Sequence, residues 1–302
     1  MQQFAAVAGS TIVVASIQFQ PQFGAVDANL DAMERLIRSA AGQSAQLIVL
    51  PELADSGYVF ESVSELAAIA DTVPGGKSAQ RLIALAVELG VHIVCGLAEC
   101  DGDLHFNTAL LCGPDGYVGK YRKLHLWNRE HLFFQPGDLG LPVFDTTIGR
   151  LGLAICYDGW FPETFRALAV NGAQLVGVPT NWVPMAGQAP GDEPIANTLL
   201  KAAAHSNGIY IAAADRIGTE RNQPFIGQSL IVGPNGLALA GPASPHDQAI
   251  ILATANLGSI ESFRTLNQYN NVLGDRREDV YGADPVQSAK ASEMVSGKGK
   301  RS

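Results

Sequence analysis

Apolar residues along this chain come in two rhythms. Short runs at 11–19, 47–50, 91–98, 151–155, 173–178 and 210–214 lack polar alternation. Strands covered on both faces read this way. Between the runs the spacing becomes helical. Residues 27–41 carry Leu30, Met33, Leu36 and Ile37 on one face, and 78–89 repeat the pattern and stop at Gly90. Helices are also predicted over 163–170, after Pro162 in a favourable first-turn position, and over 195–206. Two further strand pairs, 107–112 with 117–121 and 229–232 with 237–240, flank Gly-Pro-Asp-Gly at 113–116 and Gly-Pro-Asn-Gly at 233–236. These are strong hairpin turns. The last predicted strand is 249–255.

Strands alternating with helices predict an α/β protein whose helices cover its sheets. The repeated hairpin suggests two related halves, and no linker is long enough to separate them. Periodicity alone leaves one sheet or two equally open. From Ser262 the chain turns polar. The expected organisation is therefore a single domain over 1–261 and a C-terminal arm over 262–302, extended at 273–284 and ending in a solvated basic tip of Lys298, Lys300 and Arg301.

Composition narrows the function. Of 302 residues 47% are hydrophobic and 16% charged, ample for a large core. A net charge of −9 argues against nucleic-acid binding. The longest apolar stretch, 82–97, is broken by Glu88 and His92, so no membrane span is expected. Residues 1–10 lack the basic start of a signal peptide. Cys95, Cys100, Cys112 and Cys156 are too few for a disulfide framework and do not have zinc spacing, which suits a reducing, cytoplasmic setting.

Four residues combine reactivity with placement. Cys156 ends the 151–155 strand, with turn formers Asp158 and Gly159 behind it. Glu52 follows Leu-Ile-Val-Leu-Pro. Lys123 ends a hairpin strand, and Glu130 lies in the aperiodic segment 123–140. A free cysteine is commonly just a small core hydrophobe, and a lone Glu or Lys is commonly solvated. Together they make an acyl-transfer set: a thiol to attack, a carboxylate to move its proton, an ammonium to hold an oxyanion. A helix N-terminus after Cys156 and the nearby Lys123 are expected to favour its thiolate, leaving the other three thiols slow to react. Asn181 and Trp182 end a strand patterned like the Cys156 strand and are expected beside it; Trp182 equally suits core packing. A Cys–His alternative would need His125, His131 or His205 at the thiol.

Leu-Ile-Val-Leu-Pro-Glu52, Gly119-Lys-Tyr-Arg-Lys-Leu-His125, Glu130 with Phe134-Gln-Pro-Gly137, and Gly152-Leu-Ala-Ile-Cys-Tyr-Asp158 with Phe161-Pro-Glu163 occur in that order. With Asn271-Val-Leu-Gly-Asp-Arg-Arg277 and Val280-Tyr-Gly282, the chain resembles the nitrilase (carbon–nitrogen hydrolase) superfamily from about Thr11 to Asp284. The resemblance implies a four-layer α-β-β-α sandwich and a Cys156–Glu52–Lys123 triad that needs no metal or organic cofactor. Glu130 is then an additional positioning glutamate and the Tyr157 N–H a second oxyanion donor. Trp160, Asn181 and Trp182 would line the substrate pocket. It also implies a homodimer or larger homo-oligomer, with the helix after Cys156 and the arm as candidate interface. Tyr157-Asp158 favours a small-carboxamide amidase over a nitrilase. Asp158, Trp160, Phe161, Pro162 and Glu163 match the pattern of N-carbamoylputrescine hydrolases, so an N-carbamoyl substrate is the second reading. A silent binding scaffold is the non-enzyme alternative.

Overall fold

The computed structural model describes residues 11–188 and 191–281. The 1–10 segment, the basic tip and the arm beyond 281 lie outside the described residues. In chain order the elements are β1 (Thr11–Gln18), α1 (Val26–Gly42), β2 (Leu47–Val49), α2 (Val63–Ala67), α3 (Lys77–Leu89), β3 (His92–Asp101), β4 (Leu104–Gly113) and β5 (Gly116–Arg122). Then come β6 (Val143–Thr146), β7 (Gly149–Leu153), α4 (Pro162–Val170), β8 (Leu175–Pro179), α5 (Ile195–Asn207), β9 (Tyr210–Ala214), β10 (Thr219–Glu220), β11 (Gln223–Pro224), β12 (Leu230–Val232), β13 (Ala238–Ala240) and β14 (Ala249–Asn256). The arm holds α6 (Ile260–Arg264), β15 (Thr265–Asn267), β16 (Asn270–Asn271) and α7 (Glu278–Tyr281).

There are two large sheets, ordered β14-β1-β2-β3-β4-β5 and β13-β12-β9-β8-β7-β6. Each centres on three parallel strands, β1-β2-β3 and β7-β8-β9. Each continues into an antiparallel hairpin, β4-β5 or β12-β13, over one of the two Gly-Pro turns. Each also carries one antiparallel strand outside its first, β14 on β1 and β6 on β7. The repeat suspected from the turns is thus a repeat of strand plan.

The burial pattern explains the unbroken apolar runs. Ile12, Val14, Leu47, Val49 and Val94 face the core shared by the two sheets, while Ala15, Ile17, Ile48, Leu50 and Ile93 face α1 and α3. Period-two alternation sends the central stretches of these strands into one of two apolar layers, and buried polar residues such as Gln18, Glu99 and Asn107 fall toward strand ends, where they have hydrogen-bond partners. Gly177 lets β8 lie close to Val94 of the other sheet. On the far side α4 and α5 cover the second sheet through Phe165, Leu168, Leu200 and Ala204.

The arm departs from expectation. The boundary at Ser262 falls inside α6, β15 and β16 form a small ladder ahead of the stretch expected to be extended, and α7 lies within that stretch. Arg264 donates to the carbonyls of Asn207 and Ala173, and Arg166 of α4 donates to that of Val272, fastening the arm to the helical layer. Two elements had no clear pattern in the sequence. The five-residue α2 is capped by Ser62, and β6 is a four-residue edge strand too short to show a period.

Candidate active site

Glu52, Lys123 and Cys156 all sit just past strand ends at the same mouth of the sandwich. Glu52 leaves β2 through Pro51, running so close to β3 that a Cβ at Gly96 would overlap the Glu52 Cα. Its backbone is tied to the other half: the Glu52 N–H donates to the Thr180 carbonyl (3.3 Å), and Asn181 Nδ2 donates to the Glu52 carbonyl (2.8 Å). Lys123 follows β5. Its N–H donates to the Asn107 carbonyl, and its own carbonyl accepts the Gly137 N–H, both at 2.8 Å. Gly137 of the Phe-Gln-Pro-Gly segment lies where any Cβ would strike the Arg122 carbonyl.

Cys156 opens a short 3-10 turn with φ +46°, left-handed backbone that a cysteine seldom adopts. Asp158 enforces the turn. Its fully buried carboxylate accepts the Ile155 N–H (2.8 Å), the Tyr121 hydroxyl (2.8 Å) and the His125 N–H (3.1 Å), and meets His125 Nδ1 at 2.7 Å. One carboxylate thus joins the strand end, the hairpin and the loop after it, the over-determination a strained residue needs. In the sequence Asp158 reads as a turn former and as part of the family motif, with no sign of this bracing role. His125 is further stacked on Phe161 at 3.6 Å, so its ring serves to hold this turn.

The charged groups converge without water between them. Lys123 Nζ donates to Glu52 Oε1 at 2.6 Å and to Glu130 Oε1 at 2.7 Å, with all three side chains buried. Asn107 Nδ2 donates to the same Glu52 oxygen (2.7 Å), and Glu52 Oε2 has no partner among the described residues. Glu130 also accepts the Tyr58 hydroxyl (2.6 Å) and the Trp127 N–H (3.2 Å). Asn107 and Tyr58 carried no sequence signal. Asn107 looks like any hairpin residue, and Tyr58 lies in a loop pinned by Glu220, which accepts the Tyr58 and Val59 N–H groups, and by Arg221, which donates to the Val59 carbonyl.

Burial sets the proton affinities. It raises Glu52 to about 7 against the pull of Lys123, with Glu130 adding to the rise. Burial works against the Lys123 ammonium, yet Glu130 and Glu52 together hold it above its ordinary value. The Cys156 thiol is pushed well up by burial first and Glu52 second, with Lys123 opposing. This corrects the expectation of a favoured thiolate: α4 begins only at Pro162, and one ammonium shared by two carboxylates does not outweigh desolvation. The other thiols rise as well, through burial, Cys112 to about 12.

Beside Cys156 lies a cavity of about 10 Å³, lined by Trp127, Tyr157, Trp160, Asn181, Trp182 and Met185, among others. Trp182 is both wall and core, being 2% exposed. Tyr157 meets Trp127, Trp160 and Phe161 at ring distances of 4.8, 5.8 and 5.2 Å, which fixes one wall. A second cavity of about 70 Å³ shares Trp127 and Val183 and reaches Glu130. Among the described residues no group of three or more His, Cys, Asp or Glu is placed to hold a metal ion. The described helices include none long and apolar enough to cross a membrane.

Residues 13–265 match the family model described as carbon-nitrogen hydrolase. A Pyrococcus abyssi protein named nitrilase is 42% identical over 270 residues, covering 89% of this chain and 99% of its own. The N-carbamoylputrescine amidase of Solanum lycopersicum is 32% identical, covering 91% and 98%. A Glu-to-Gln mutant of the amidase from Nesterenkonia sp. AN1 superposes with a TM-score of 0.73 at 29% identity, covering 91% and 97%; that mutant's structure shows covalent addition of the acetamide moiety of fluoroacetamide at the active-site cysteine.

Proposed function

The chain belongs to the carbon–nitrogen hydrolase family of the nitrilase superfamily and is a C–N hydrolase; from that premise we propose that it hydrolyses a small carboxamide to acid and ammonia through an acyl-thioester on Cys156. The observation that carries this is the shared ammonium: Lys123 Nζ lies between Glu52 and Glu130 in the electrostatic field of the Cys156 thiol. Glu52 Oε2 accepts the thiol proton as sulfur attacks the carbonyl carbon. A carboxylate near 7 is matched to that task. Two Lys123 hydrogens serve the carboxylates, and the third, with the Tyr157 N–H, faces the developing oxyanion. As the intermediate collapses, Glu52 returns the proton to the departing nitrogen. It then takes one from the water that cleaves the thioester and returns it to the departing Cys156 sulfur, which restores the resting pair. Glu130, braced by Tyr58, keeps Lys123 in place.

The names of relatives divide between amide, N-carbamoyl and nitrile chemistry, so substrate class is decided by assay. An ammonia-release screen over amides, nitriles and N-carbamoyl compounds tests all three. Butyramide should exceed butyronitrile in kcat/KM by at least about a hundredfold, roughly 2.7 kcal/mol in transition-state binding. Comparable values would overturn the amidase reading. An N-carbamoyl amine is the second reading, favoured by Asp158 and the Trp160-Phe-Pro-Glu163 run.

We further propose a reducing, cytoplasmic setting, supported by four free cysteines, and a homodimer or larger homo-oligomer packed through α4 and the arm. Leu266, Tyr269, Val280 and Tyr281 all stand exposed there, an apolar surface that suits burial against a second copy. Light scattering should give at least twice the monomer mass at micromolar concentration; a monomer would overturn this.

A further inference from the structure

The largest fully buried side chain among the described residues is a cation outside the site, Arg216. It follows β9, and its backbone is tied to both halves of the sandwich. The Arg216 N–H donates to Asp215 Oδ1 (2.8 Å), and the N–H of the next residue, Ile217, donates to the Phe19 carbonyl (3.2 Å) just past β1. Its Nη1 donates to Glu220 Oε2 (2.7 Å) and its Nη2 to the Pro21 carbonyl (3.2 Å), while the guanidinium lies over the Phe225 ring at 4.2 Å. Burying an ion pair costs much of what the pair returns, and apolar residues of similar volume often serve stability as well. Stability alone is therefore a poor account of Arg216.

Both of its side-chain partners lead to Tyr58. Glu220 is itself buried, and its other oxygen accepts the Tyr58 and Val59 N–H groups at 2.7 and 2.6 Å. The Phe225 ring meets the Tyr58 ring edge-on, with centroids 5.8 Å apart and planes at 88°. The loop is pressed onto the carboxylate: Gly57 has φ +83°, and a Cβ there would lie 2.9 Å from Glu220 Oε2. One anchor thus holds Tyr58 by its backbone and by its ring, which leaves the hydroxyl a single aim. It donates to Glu130 Oε1 (2.6 Å), the same oxygen that accepts Lys123 Nζ (2.7 Å).

Resting on the roles of Lys123 and Glu130 given above, we propose that Glu220 and Phe225, both anchored on Arg216, are positioning residues for the reaction. They hold Tyr58 so that its hydroxyl fixes Glu130, and Glu130 in turn keeps Lys123 where the oxyanion forms. The chain of contacts runs from the second half of the sandwich, through a loop of the first, to the ammonium. Each link is a hydrogen bond or a ring contact between groups with little room to move, so a shift at Glu220 is passed on rather than absorbed. The inference is independent of whether the substrate is an amide, an N-carbamoyl compound or a nitrile.

The test is a double-mutant cycle on the best substrate of the ammonia-release screen. Tyr58→Phe removes the hydroxyl, and Glu220→Ala removes the acceptor that sets its loop. Each should lower kcat about tenfold or more with KM changed by no more than about twofold, since a small misplacement far from the chemistry acts on the transition state. The double variant should lie within about twofold of Tyr58→Phe, because without the hydroxyl the loop has nothing left to aim. A merely structural role, in which Glu220→Ala loses folded protein, would lower kcat by the same factor in both backgrounds. Such additivity, or wild-type kcat in Glu220→Ala, would overturn the inference. Should Glu220→Ala fail to fold, Phe225→Leu takes its place in the same cycle, because it opens the ring contact without unpairing Arg216. The underlying reading is checked separately by Lys123→Ala. Wild-type kcat there would remove the reading and the inference together, whereas an impaired Lys123→Ala leaves the cycle to decide the inference alone.

Discussion

The two halves of the sandwich follow one strand plan and furnish the site with opposite chemistry. The half built on β1 to β5 provides Glu52, Lys123 and, in the loop after it, Glu130, every one ionisable and buried. The half built on β6 to β13 provides Cys156, Asn181 and Trp182, none formally charged at neutral pH with the thiol protonated. Behind Lys123 the first half holds the inverse arrangement, one buried carboxylate, Glu99, between the two cations Arg122 and Lys120. The ionic cluster at the site therefore comes from the first half, while the second half, whose buried Asp158 holds the Cys156 turn, lines the cavity with uncharged side chains. Nucleophile and base meet only across the seam, so neither half contains the proposed chemistry alone.

That division can be broken from either side. The largest effect should come from Cys156→Ala, with a loss of roughly 10⁴-fold or more in kcat and no hydroxamate formed in hydroxylamine, the chain remaining folded by circular dichroism. Appreciable residual turnover would remove Cys156 as nucleophile. Lys123→Ala should lower kcat about 10³-fold with little change in KM, as expected for a contact made mainly in the transition state. It should also cost about 3–5 kcal/mol in urea unfolding, because Glu52 and Glu130 would face each other without their cation. A normal midpoint would mean the carboxylates are not held by Lys123.

A subtler probe is pH. Glu52 has a folded value near 7 against an ordinary 4.5. Its basic form is lost as pH falls, so kcat/KM should drop about tenfold per unit below pH 7. The sign for stability is opposite. A raised carboxylate contributes stability fully below about pH 4.5 and loses it as pH rises through 7, so Glu52→Gln should flatten that decline in thermal denaturation. An acid limb near 4.5 in the rate profile would contradict the burial argument. The smallest effect should come from Gly96→Ala, which crowds the Glu52 turn and should lower kcat about tenfold while costing about 1–3 kcal/mol; wild-type kinetics would show the turn has slack.

Glu52 and Cys156 stood out because each follows a short apolar strand, Lys123 because it ends a hairpin strand and Glu130 because it lies in an aperiodic segment; the structure brings Glu52, Lys123 and Glu130 into direct contact. The α/β class and the repeated hairpins were legible from the apolar runs and the Gly-Pro turns. Asn107, Tyr58 and Asp158 were not, because their work depends on partners 37 to 72 positions away (Tyr121, Glu52 and Glu130). The thiol's protonation was misjudged because sequence shows a nearby lysine but not its burial between two carboxylates. The short elements α6, β15 and β16 were not legible because they are too brief to show a period, and the arm is fastened by arginine-to-carbonyl bonds that leave no apolar pattern.

The pairing of β1 with β14 has a consequence for synthesis. Thr11 lies opposite Asn256, whereas the second sheet pairs strands that all fall between Val143 and Ala240. On a ribosome the half that carries the carboxylates is made first, yet its outer edge stays open until almost the entire chain has emerged. The thiol-bearing sheet needs no such wait. An open edge of β1, with Val13, Ala15 and Ile17 in its run, is the stretch a nascent chain must shield longest. Chaperone dependence should therefore track truncations within 249–256 more closely than any change at the catalytic mouth.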